Sequence, residues 1–232
     1  MRSNYLYLAI NFISIIVPFA FSFYPKANFS AKWRYLWPAI LLTGIFFIIW
    51  DDWFTRMGVW GFNPYYVTGI NLFNLPLEEV LFFVCIPYAC VFTYEAINYF
   101  HKKPVLVRET RWITLFLIFS SFLMALIFRH RWYTFATFFL NGLVLSYLHF
   151  KVKPDYLGRF YFAFLFILIP FFVVNGILTG TGIESEVVWY NDQENLGIRL
   201  GTIPVEDTFY GMLLILMNVA IFEHLQKKEK GA

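Results

Sequence analysis

Seven apolar stretches, at about 5–24, 35–53, 77–100, 111–128, 132–150, 159–178 and 204–225, limit what this chain can fold into. Each has about the 20 residues that a helix needs to cross ~30 Å of hydrocarbon. Only helices and closed barrels satisfy their own backbone polar groups in that medium, and apolar runs of this length read as helices. Charged residues make up 14% of the 232 residues, against roughly 25% in soluble domains. The expectation is an all-α, polytopic membrane protein with seven transmembrane helices. No small-residue cleavage site follows the first stretch before Tyr24-Pro25-Lys26, so it is read as a retained helix rather than a signal peptide.

Basic residues set the orientation. With seven spans, one side of the membrane receives Arg2, Arg56, Arg129, Arg131 and Arg199. The other receives Lys26, Lys32, Arg34, Lys102, Lys103, Arg108, Arg111, Lys151, Lys153, Arg159, Lys227, Lys228 and Lys230. Five against thirteen is a positive-inside bias that places the N-terminus outside, the C-terminus in the cytoplasm and the chain in the cell (inner) membrane. The net charge of +3 and the lack of long basic runs give no case for nucleic acid as a partner; the lipid bilayer is the expected surroundings.

Pro76-Leu77-Glu78-Glu79 opens the third apolar stretch, and Pro204-Val205-Glu206-Asp207 opens the seventh in the same way. Each is preceded by a span and then a long loop. The chain thus divides into a first three-helix repeat (1–103), a linker helix (104–131) and a second three-helix repeat (132–232). One offset in numbering carries Pro76 onto Pro204, Glu78 onto Glu206, Glu79 onto Asp207 and Glu95 onto Glu223. Four spans separate equivalent helices, an even number, so the repeats are parallel and both acidic pairs lie at one depth on the outer side. A proline is tolerated in the first helical turn, and the helix dipole favours carboxylates there, so these could be no more than well-made helix starts. Carboxylates near hydrocarbon are costly, however, and usually mark function. Glu78, Glu79, Glu206 and Asp207 are read as one converging group able to divide the roles of general acid and general base. Asp51, between Trp50 and Trp53 at the end of the second stretch, suits an interfacial anchor or the same site equally well. Glu95 and Glu223, far along the same two helices, are expected in ion pairs at the opposite end.

Other chemistries lack support. There is no dinucleotide-binding glycine motif, the four histidines lack metal-ligand spacing, and no lysine in 204–225 is placed for a Schiff base. Neither a cofactor nor a metal is expected. Cys85 and Cys90, in one apolar stretch, read as packing residues.

The Pro-x-Glu-Glu-x-x-Phe-Phe run at Pro76–Phe83, with Asp51 and Gly58-Val59-Trp60 upstream, resembles the small integral-membrane lycopene cyclases, the bacterial heterodimeric type and its fused archaeal and fungal relatives. Asn175-Gly176-Ile177-Leu178-Thr179, leading to Pro204-Val205-Glu206-Asp207, is similar to the other half of that enzyme, so both halves stand here in one chain. The resemblance implies an intramolecular lyase or isomerase of carotenoid biosynthesis. Such an enzyme closes β-ionone rings on the linear ends of membrane-embedded lycopene without net redox change, and neighbouring carotenoid-pathway enzymes are possible partners. It further implies catalytic roles among Glu78, Glu79, Glu206, Asp207 and Asp51, and substrate contact at Trp60, Phe82, Phe83, Asn175 and Tyr210. The second half has Glu-Asp for Glu-Glu and no acidic pair matching Asp51-Asp52, which implies unequal halves. Two alternatives are a small-solute transporter, which the nearly pure apolar runs 41–49 and 162–174 disfavour, and another carotenoid or prenyl enzyme such as a hydratase.

Overall fold

The computed structural model describes residues 3–230, and Arg2, counted above, lies outside them together with the extreme ends of both expected repeats. Among the described residues seven helices run through it: α1 (Leu6–Phe21), α2 (Trp33–Met57), α3 (Leu77–Phe100), α4 (Glu109–Ile127), α5 (Trp132–Ser146), α6 (Leu157–Leu178) and α7 (Val205–Lys230). Six are long and apolar enough to cross a membrane. α1 has 16 residues, about 24 Å at 1.5 Å per residue, and is the short one. Large apolar side chains such as Phe116, Phe119 and Ile169 are exposed, as they are where the neighbour is lipid rather than water.

Local chemistry places the helix ends. α2 runs on past the expected end at 53 and stops at Gly58, whose φ of +71° is the left-handed conformation that ends helices; its N–H returns to the Phe54 and Thr55 carbonyls. α3 begins directly after Pro76, whose extended backbone also ends a short strand.

The repeat appears as matched elements. Hairpin β2 (Asn71–Leu72)/β3 (Leu75–Pro76) leads into α3, and hairpin β5 (Arg199–Leu200)/β6 (Ile203–Pro204) leads into α7. Their registers correspond, Asn71 opposite Pro76 in the first and Arg199 opposite Pro204 in the second. Between them the two long loops that carry these hairpins pair with each other. β1 (Trp60–Phe62) and β4 (Val188–Tyr190) are antiparallel, with Trp60 opposite Tyr190, Gly61 opposite Trp189 and Phe62 opposite Val188. The offset that carries Pro76 onto Pro204 also carries Gly61 onto Trp189, so this ladder sits on the internal two-fold axis. At that point a Cβ on Gly61 would fall 2.3 Å from the Trp189 indole, and only glycine lets the strands close.

α3 and α7 form the centre. α1 packs on α3 as α5 packs on α7, α2 lies closely against both α3 and α7, and α4 covers α5. At the end opposite the hairpins, Lys32 pairs with Glu95, and Glu223 accepts from the Tyr94 hydroxyl and lies 4.0 Å from Arg159. Both glutamates are therefore in the interhelical pairings expected of them, remote from the acidic pairs.

Candidate functional site

Consecutive helical residues point about 100° apart, so the two acids of each pair go different ways. Glu78 turns to its own loop, where one carboxylate oxygen accepts the Thr68 N–H at 2.8 Å. Glu206 does the same with the Leu196 N–H at 2.7 Å and also accepts from the Thr134 hydroxyl at 2.6 Å. Thr68 and Leu196 are again equivalent positions of the two repeats. These two buried carboxylates tie loops to helix starts, and they do not line the cavity that the others share.

Glu79 and Asp207 turn inward, where Asp51 joins them. All three are buried and line one cavity of about 460 Å³, a size common for small-molecule sites. The Tyr7 hydroxyl donates to Glu79. The Tyr133 hydroxyl donates to one oxygen of Asp207, and the Tyr190 hydroxyl to the other at 3.0 Å. Asp51 accepts the Trp60 indole N–H on one oxygen. Its other oxygen is buried and receives no N–H or hydroxyl, and the Glu79 carboxyl lines the same cavity. Asp52, the next residue, faces the other way: it accepts the Asn74 N–H and side-chain amide at 3.0 and 2.7 Å and pairs with Arg56 at 2.9 Å.

Aromatic rings enclose the carboxylates. Trp60 lies 5.0 Å from Tyr133 and 6.2 Å from both Tyr190 and Tyr210, ring centre to ring centre, and Tyr133 stacks on Tyr190 at 5.7 Å. Tyr190, at the end of β4, has its phenol pushed well above the ordinary tyrosine range by burial and by the Asp207 carboxylate beside it, and so remains a hydroxyl donor. No Lys, Arg or His lines the cavity among the described residues; Arg199 lies over Tyr190 at 6.0 Å and is engaged by Asp192 at 2.7 Å. Among the described residues, no group of three or more His, Cys, Asp and Glu is arranged to hold a metal ion.

Away from the acids the cavity is a slot with apolar walls between α1, α3, α6 and α7. On α3 it extends from Glu79 to Thr93, about 21 Å along the axis at 1.5 Å per residue. Of the expected substrate contacts, Trp60, Phe82, Asn175 and Tyr210 line it. Phe83 does not; it is buried on the α2 side against Phe47, with ring centres 6.0 Å apart. Tyr7, Tyr133 and Tyr190 belong to the site although the sequence alone does not single them out. The first two do carry a signal, since each stands at the start of the first helix of its repeat.

A family model described as lycopene cyclase matches residues 4–97 and 130–225, one stretch in each repeat. No curated protein and no solved structure matches the chain.

Proposed function

The chain belongs to the lycopene cyclase family, and on that premise we propose that it closes β-ionone rings on the linear ends of lycopene by a proton-initiated, redox-neutral isomerisation. The observation that carries the reading is a cavity holding three buried carboxylates and a ring of aromatic faces, with no basic side chain among the described residues to balance them. Such a site is electrostatically incomplete until a cation forms inside it.

In this reading the end of the polyene enters the slot until its terminal double bond meets the carboxylates. A proton carried by Asp51 or Glu79 adds to that bond and leaves a carbocation. Trp60, Tyr133, Tyr190 and Tyr210 face it, and an aromatic face attracts a cation by ~0.5–2 kcal/mol. The chain's next double bond attacks the cation and closes the ring. Asp207, held in place by the Tyr133 and Tyr190 hydroxyls, accepts the proton whose departure leaves the ring double bond. One proton enters and one leaves, so product and substrate are isomers. Glu78 and Glu206 serve by holding the loops that carry Trp60 and Tyr190. The thirteen basic residues set the cytoplasmic side of the cell membrane, and the site lies near the outer face.

Expression in a lycopene-accumulating bacterium, followed by pigment analysis, tests the reading. Ring-bearing carotenoids are expected. Unchanged lycopene alongside protein demonstrated in the membrane would overturn the assignment, and a hydroxylated acyclic pigment would move it to a hydratase.

A further inference from the structure

The repeats generate two equivalent places for a slot, and only one is open. The observed cavity lies between α1, α3, α6 and α7. The internal two-fold carries that set onto α5, α7, α2 and α3, where a matching cavity would be expected. In its place Phe47, Trp50 and Phe83 form a buried aromatic plug: Phe47 lies 5.5 Å from Trp50, 6.0 Å from Phe83 and 5.0 Å from Tyr210. In the other repeat the equivalent positions are Asn175, Leu178 and Gly211, all of which line the open slot. A Cβ at Gly211 would already come to 3.2 Å from the Phe171 ring, so a side chain there narrows the passage. Helix packing agrees, since α2 lies tight on α3 and α7 while its counterpart α6 stands off from α7.

The open slot also has a side entrance. Between α1 and α6 the wall includes Ile13 and Val173, which are 71% and 60% exposed on the lipid-facing surface. α1 carries Pro18 and α6 carries Pro170 along the same wall, and each proline removes a backbone hydrogen bond from its helix. The counterpart positions, Ser146 on α5 and Leu42 on α2, have none, and the one proline of α2, Pro38, stands a turn away.

Taking the cyclase reading above as given, we propose that the enzyme has a single working slot, entered sideways from the bilayer between α1 and α6. Each encounter then closes a ring at one end of the carotenoid. A two-ringed product requires the one-ringed molecule to leave and return by its other end.

The test uses the full chain in lipid vesicles loaded with lycopene, with enzyme-free acceptor vesicles added during turnover. One-ringed carotenoid is expected in the membrane before any two-ringed product, and it is expected to reach the acceptor vesicles. Val173→Trp, at the proposed entrance, is expected to slow turnover at least tenfold with an unchanged melting temperature. Ile45→Trp, its lipid-facing counterpart on α2, is expected to leave turnover within twofold of the parent. Two rings formed with no free one-ringed species, or equal effects of the two tryptophans, would overturn the single slot. A parent protein that closes no ring at all overturns the cyclase reading itself and this inference with it, a result distinct from ring closure with symmetric effects.

Discussion

Three acids and three tyrosines do different work although all six sit at the same site. Asp51, Glu79 and Asp207 face a common space, and Tyr7, Tyr133 and Tyr190 aim hydroxyls at two of them. Asp51→Asn, Glu79→Gln and Asp207→Asn are each expected to lower ring closure at least ~10²-fold, the usual scale for removing an acid or base, with little change in melting temperature. Glu78 and Glu206 are expected to behave in the opposite way. Alanine at either leaves a part-buried N–H without its acceptor at a cost of about 1–3 kcal/mol, so thermal unfolding in detergent shifts while turnover of the surviving protein falls far less. Glutamine keeps an oxygen in place and is expected to restore most of that stability. The acidic pairs are legible in the sequence because a proline, two acids and an apolar run form a local pattern. Which acid of each pair points inward is not, since that depends on how α3 and α7 pack. The tyrosines are hidden for another reason: Tyr7 lies 72 residues from Glu79 and Tyr133 lies 74 from Asp207, among 15 tyrosines of one chain.

At the scale of elements, helices and loops differ in how far the sequence exposes them. An apolar run of about 20 residues announces a helix by length alone, and all seven helices stand where the runs stand. Strands as short as β1 and β2 have no period to read, and β1 meets its partner only across the gap between the repeats. Yet that pairing positions two site residues, Trp60 and Tyr190, from opposite halves of the chain. Gly61→Ala is therefore expected to act at a distance. Its methyl displaces the Trp189 indole and strains the ladder by about 1–3 kcal/mol, as overpacking does. It also moves Tyr190 away from Asp207, so both the melting temperature and the rate of ring closure are expected to fall. Trp189→Ala in the same chain relieves the collision and is expected to recover part of the lost stability, which a double-mutant cycle measures.

At the scale of the whole molecule the site belongs to neither repeat. Tyr7, Asp51, Trp60 and Glu79 come from the first; Tyr133, Tyr190 and Asp207 come from the second. The connection between α3 and α4 is a short, largely exposed segment well away from the carboxylates. Residues 1–103 and 104–232 produced as separate chains are each expected to be inactive alone and to regain at least a tenth of the parent activity when made together. Full activity from either piece would contradict a shared site.

The crossing of Gly61 and Trp189 has a bearing on how such a chain can arise. Two identical subunits would have placed every residue at this crossing against its own copy. Tryptophan against tryptophan overfills the space, and glycine against glycine leaves a hole the size of an indole. The close fit becomes available only when the copies are free to drift apart. Joining them in one polypeptide allows a single patch of surface to be large on one side and absent on the other.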